Sequence, residues 1–226
     1  MNNYITLYGT PLEYPHQVSV DKHGTAYYGF KIATERPRSG IRDITKVIVE
    51  EGTEAFKSLV ALDYEKDLLD DVKLLVTGRI CTRNLKPKEK TDGKKHAKLN
   101  ITVRADTIID QQYKGDTNGV VLTGYVCKIG EMRSTPRGMR ITDMIIACDR
   151  EDIKNVSDYI PAITWNGNAA RAALMLEVGN CIEVRGRLQS REYIKRLEDE
   201  TEETRTCYEL SIEKWKKVPD EQKREA

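Results

Sequence analysis

The sequence predicts an all-β chain with short helices, folded as two tandem five-stranded barrels, each with a helix between strands 3 and 4. Two observations carry this reading: the chain is written twice, and each copy runs through strand and helix patterns in the same order. Tyr4-Ile-Thr-Leu-Tyr-Gly9 resembles Gly119-Val-Val-Leu-Thr-Gly124 at an offset of 115 residues. Ile32-Ala-Thr-Glu-Arg36 resembles Ile146-Ala-Cys-Asp-Arg150 at an offset of 114. Gly78-Arg-Ile-Cys-Thr-Arg83 resembles Gly186-Arg-Leu-Gln-Ser-Arg191 at an offset of 108. A period above 100 residues is a domain duplication rather than a solenoid. The polar stretch Tyr113-Lys-Gly-Asp-Thr117 reads as the boundary. The expected domains are therefore residues 1–113 and 117–218, with a short charged tail over 219–226.

The second copy is the clearer one. Residues 120–126 are rich in β-branched side chains and read as its first strand. Ser134-Thr-Pro-Arg-Gly138 is a turn leading into a second strand over 139–148. Residues 159–165 form the third, with Pro161 suggesting an edge or a distortion. Asn168 is placed to cap a helix whose apolar residues Ala169, Ala172, Ala173 and Leu176 fall at i, i+3, i+4 and i+7. Gly179 is placed to end that helix. Strands over 181–193 and 206–215 follow, joined by the charged loop 197–204. Three strands, one helix and two strands are the order of the oligonucleotide-binding (OB) barrel. In the first copy the order recurs as strands 5–9, 25–34 and 44–49, helical material within 53–69, and strands 72–83 and 99–108.

Composition narrows the class of function. Hydrophobic residues make up 39% and charged residues 32%, and no apolar run approaches the roughly 18 residues that a membrane helix needs. The opening MNNYITLYG has no basic-then-apolar leader pattern, which predicts a cytoplasmic protein. Its five cysteines are widely spaced without a CxxC pair and read as reduced thiols; the three histidines do not join them at metal-ligand spacing. No metal or cofactor is expected. Nucleotide-binding glycine motifs and nucleophile elbows are missing too, which disfavours an enzyme. The net charge is +1, with 19 basic and 16 acidic residues over 1–115 and 18 and 20 over 116–226. A nucleic-acid surface must therefore be a local stripe.

The fourth strand of the second copy supplies such a stripe. Ile182, Val184 and Leu188 share one parity and should fill the barrel. Arg185, Arg187, Gln189, Arg191 and Tyr193 share the other and should face outward. A row of arginines ending in a tyrosine suits a phosphate backbone with a base stacked at its end. The same pattern also suits a solvated face whose arginines pair with neighbouring acids, and the strand alone does not separate the two. Tyr159 and Trp165 lie six positions apart and can share one face, although pattern alone does not say which.

The second copy also resembles the bacterial single-stranded DNA-binding protein family. The resemblance rests on Gly124, Arg133, Thr-Pro-Arg-Gly138, Asp158-Tyr-Ile-Pro-Ala-Ile-Thr-Trp165, Gly179, Gly186-Arg-Leu-Gln-Ser-Arg-Glu-Tyr193 and Tyr208-Glu. It implies non-catalytic binding of single-stranded DNA in replication, repair or recombination, with Tyr159, Trp165 and Tyr193 stacking on bases and Arg133 in a basic hairpin. A further stacking position falls near Asp152, where no aromatic stands. In the first copy the aromatic positions carry Ile44, Glu50 and Leu85. Tyr14, Tyr27 and Tyr28 stand nearby as substitutes or as core and contact residues. The loop over 84–98 offers Lys86, Lys88, Lys90, Lys94, Lys95 and Lys98, either as a soluble hairpin tip or as phosphate contacts. The resemblance further implies a homodimer presenting four barrels. The C-terminal sequence lacks an acidic tip, so replication or repair proteins would not be recruited by that route. An interaction or primosome-accessory scaffold built on OB-folds, and an RNA-binding OB protein, are the competing readings.

Overall fold

The computed structural model describes residues 2–37, 39–62, 72–85, 98–196 and 201–219. Its elements run β1 Asn3–Pro11, β2 His16–Val20, β3 Ala26–Glu35, β4 Arg42–Glu50, α1 Glu54–Ala61, β5 Leu74–Leu85 and β6 Lys98–Asp110. The second half repeats them as β7 Asn118–Ile129, β8 Arg133–Ser134, β9 Arg140–Asp149, β10 Ser157–Trp165, α2 Asn166–Met175, β11 Cys181–Arg196 and β12 Glu202–Lys217. Among the described residues no helix is long and apolar enough to cross a membrane.

Strand pairing closes on itself in each half. In the first, β1, β3, β4, β6 and β5 pair in that cyclic order, with β4–β6 parallel and the rest antiparallel. In the second, β7, β9, β10, β12 and β11 do the same, with β10–β12 parallel. These ten strands are the five expected in each copy. Two short strands were not expected: β2 flanks β3, and β8 flanks β9. All five residues of β2 are exposed, so it has no buried face to impose alternation. Pro161 does not mark an edge. β10 pairs with β9 along its whole length and with β12 from Ala162 onward.

The apolar parity of each strand points into its ring. Ile5, Leu7, Ile32, Val47, Val76 and Val103 are buried in the first half; Leu122, Ile146, Ile160, Ile182, Leu188 and Leu210 are buried in the second. Truncating one such side chain to alanine costs about 2–5 kcal/mol, so these positions fix the register. Both closing strand pairs carry a bulge, at Thr77/Gly78 and at Arg185/Gly186. A Cβ on Gly78 would lie 2.1 Å from the Arg104 carbonyl oxygen, and one on Gly186 would lie 2.0 Å from that of Ser211. That close approach explains why the repeated motif begins with glycine.

The helices correct two details. Thr53 caps α1, its side chain accepting from Phe56 N, and the part of the helical expectation over 63–69 lies outside the described residues. In α2 the N-cap position is Trp165, without a side-chain bond. Asn168 instead sits in the first turn and donates to the Glu213 carbonyl at 2.7 Å. Leu176 closes the helix, and Gly179, at φ +92°, turns the chain only afterwards.

Antiparallel pairing of β1 with β7 fuses the rings into one twelve-stranded sheet. Two equivalent locks reinforce this seam. Arg36 grips the buried Asp43 in a bidentate pair at 2.7 and 2.6 Å, and Asp43 accepts the Ser190 backbone N–H at 2.8 Å. Ile44 N donates to the Ser190 hydroxyl at 2.8 Å. On the other side, Arg150 grips the buried Asp158 at 2.9 and 2.8 Å, and Asp158 accepts the Thr82 N–H at 2.5 Å. Tyr159 N then donates to the Thr82 hydroxyl at 3.0 Å. Each half thus holds the fourth ring strand of the other. Arg36/Arg150 and Thr82/Ser190 are positions that the internal repeat had already matched.

Candidate nucleic-acid interface

On β10, Ile160, Ala162 and Thr164 are buried within the ring, which turns Tyr159, Pro161, Ile163 and Trp165 to its outer side. The outward row of β11 meets this face across β12. Arg187 pairs with Ser211, and Ser211 pairs with Ile163. On the far side Trp165 pairs with Ile141, which pairs with Arg133 of β8. The result is a groove of about 880 Å³ that brings together Trp165, Arg133, Arg187 and Arg191. Arg36 of the first half also borders it. Trp165 is anchored rather than free to swing, its indole Nε1 donating to Ser211 Oγ at 3.1 Å.

Three expected residues lie outside this groove. Tyr159 is 53% exposed on the same strand face, towards its other end. Tyr193 is 40% exposed near the far end of β11, with the Arg191 guanidinium 6.0 Å from its ring centre. Arg185 lies beyond the bulge, exposed beside Glu183. Gln189 has the outward parity but is only 6% exposed. Its amide donates to Glu209 at 2.7 Å and accepts from Arg187 at 3.3 Å, so neighbouring side chains cover it. Lys86, Lys88, Lys94 and Lys95 lie outside the described residues.

Each groove arginine has an acidic neighbour: Arg133 with Asp143 at 2.8 Å, Arg187 with Glu213 at 3.5 Å, Arg191 with Glu209 at 3.8 Å. These pairs are part-exposed, and such pairs contribute about 0.2–1 kcal/mol each. A phosphate replacing one of those carboxylates therefore gives up little. Arg36 is different, because a buried Asp43 holds it and raises its pKa, largely through that side-chain hydrogen bond.

The equivalent face of the first ring is built otherwise. Glu50, where the second ring has Trp165, forms an ion pair with Arg104 of β6. Asp152, from the loop between β9 and β10, places Oδ2 2.5 Å from Arg79 Nη2 and 3.1 Å from Arg104 Nη1. Arg104 in turn lies 6.0 Å from the Tyr27 ring centre. Tyr28 packs on Phe56 at 5.0 Å between ring centres. The Leu85 side chain is outside the description. Sequence reading missed Arg79, Arg104 and the locking pairs; the Arg79/Arg187 match within the repeat was the available signal for the first.

Residues 117–218 match the profile of the Single-strand binding protein family. The match covers a little less than half of the chain. The single-stranded DNA-binding protein of Clostridium tetani is 38% identical over 80 residues, 34% of this chain and 55% of that protein. Single-stranded DNA-binding protein A of Bacillus subtilis is 35% identical over 80 residues, 34% of this chain and 46% of that protein. The chain thus spans about half the length of these relatives. Among solved structures, the single-stranded DNA-binding protein from Thermus aquaticus superposes with a TM-score of 0.68 at 20% identity, covering 96% of this chain and 93% of that one. That likeness shows that the fold of the family member extends through both halves.

Proposed function

We propose that the chain binds single-stranded DNA without catalysis, through the groove of the second ring, and that each ring is an OB barrel in its own domain, 1–113 and 117–218. The observation that carries this is Trp165, held on the outer face of the ring in a groove of about 880 Å³ that Arg133 and Arg187 also line. A base stacks on the indole while phosphates exchange with Asp143, Glu209 and Glu213 for the arginines. Tyr159 and Tyr193 extend the stacking track along the same outward face, and Arg185 and the lysines of the loop over 84–98 add phosphate contacts. The names of the relatives point the same way, to single-stranded DNA, and a strand binder of this kind would serve replication, repair or recombination. Two chains pair to present four barrels, which light scattering tests: a monomer mass removes that part of the reading.

The direct test is titration with oligo-dT and with duplex of equal length, read by tryptophan fluorescence. Trp165 should be quenched by the single strand, and Trp165→Phe should abolish the quench, because Trp215 is buried beneath Arg171. Equal affinity for duplex and single strand overturns the proposal. Failure of both to bind favours a protein-interaction scaffold, which the complete carboxylate pairing of the groove arginines would also suit.

A further inference from the structure

We infer that Arg79 and Arg104 of the first ring form a second phosphodiester site, held closed by Asp152 acting as an internal stand-in for the phosphate. The inference deepens the single-stranded DNA reading above. Arg79 occupies in the first ring the place that Arg187 holds in the groove of the second, one residue past the bulge glycine. Beside it across the strand pair stands Arg104. Their guanidinium groups converge on one oxygen, Asp152 Oδ2, at 2.5 and 3.1 Å. Two arginines meeting on a single anionic oxygen, with Tyr27 beneath one of them, form the donor arrangement that a backbone phosphate takes.

The occupant is replaceable. Asp152 stands on an exposed connection, residues 151–156, and contributes one negative charge, as one phosphodiester does. Exchange therefore leaves the charge of the site unchanged. Glu50 remains paired with Arg104 and holds that guanidinium in place. There is room for a ligand next to Arg79, which borders a cavity of about 430 Å³ with Asn2, Tyr4 and Arg150. Asp149, Glu151 and the Arg150-paired Asp158 also border that cavity, and their charge limits the site to the one phosphate that Arg79 and Arg104 can hold. In the family-like ring a strand meets an aromatic first; here it would meet a carboxylate that must leave. The first ring is thus a conditional site, filled when the phosphate concentration along a bound strand is high and salt is low.

The test compares the full chain with Asp152→Asn, and with Asp152→Asn combined with Arg79→Ala and Arg104→Ala. Each binds fluorescein-labelled oligo-dT across a salt series, read by anisotropy, with folding checked by circular dichroism. Asp152→Asn should bind about three- to tenfold more tightly at low salt. Its slope of log affinity against log salt should steepen by about 0.7 for each phosphate gained. The triple variant should lose that gain. Wild-type binding with no change in slope for Asp152→Asn overturns the inference alone. A gain that survives in the triple variant also overturns it, because general charge would then explain it. Absence of binding by both wild type and Asp152→Asn overturns the DNA reading as well.

Discussion

The outer faces of the two rings start from the same strand order and end with opposite chemistry. On the second ring Trp165 lies open in a groove, and carboxylates at its margins are loosely paired with arginines. On the first, the same position carries Glu50, and Asp152 reaches over from the other half to close the arginines that remain. A closed ring of strands therefore does not by itself fix the chemistry of its outer face. The difference resides in a few side chains on an unchanged frame.

The largest effect should come from the open face. Trp165→Ala with Tyr193→Ala should weaken oligo-dT binding by about 2–6 kcal/mol if the two stacking contributions add. Glu50→Ala on the first ring should leave stacking untouched. A dispensable aromatic pair would reverse the comparison and move binding to the first ring.

Next come the seam locks, which are alike where the faces differ. Asp43→Ala and Asp158→Ala each leave a half-buried arginine unpaired and a backbone N–H of the other half without its acceptor, and each should cost about 3–5 kcal/mol in urea unfolding. Comparable losses would show that the two halves brace one another equally. A large loss for only one would mean that a single half carries the structure.

Smaller effects sharpen the phosphate side. Arg133→Ala should lower the salt slope by about 0.7, the share of one single-strand contact, with little change in Trp165 quenching. Lys94→Ala with Lys95→Ala should lower it similarly without touching the quench. A change in slope for Arg133→Ala alone would leave the lysine loop out of the interface.

The thiols at the seam give the mildest readout. Burial pushes Cys81 up to about 11 and Cys148 to about 12, from an ordinary value of 9.0. The folded state therefore holds these protons more tightly than the unfolded state. Their contribution to stability is complete below pH 9 and is lost as pH rises through 11 and 12. Near pH 8 a thiol reagent should modify the exposed Cys127 quickly, the half-buried Cys81 more slowly and the buried Cys148 only on unfolding. Rapid labelling of Cys148 would mean that the seam opens readily.

Much of this was legible in the sequence for identifiable reasons. Strand alternation around Ile182, Val184 and Leu188 set the inner and outer faces, and the repeat set the strand order. The side chosen by Tyr159 and Trp165 needed the burial of Ile160 and Ala162 to settle it. The cover over Gln189 was not legible, because it depends on Glu209 from the neighbouring strand. Neither was the role of Asp152, whose partners Arg79 and Arg104 lie 73 and 48 residues away. Local patterns encode faces; they do not encode which distant charge will arrive at them.

Writing both halves of the seam on one chain has a consequence for how it can vary. When two identical subunits meet about a two-fold axis, every substitution at the interface appears twice, and each side must tolerate its own image. Here Asp43 on Ser190 and Asp158 on Thr82 are the two images, encoded by separate codons. One can change while the other is kept, and covalent linkage keeps the partner at high effective concentration meanwhile. The chain is therefore free to accumulate asymmetry that a symmetric pair must suppress, such as an acid facing one ring and an indole facing the other.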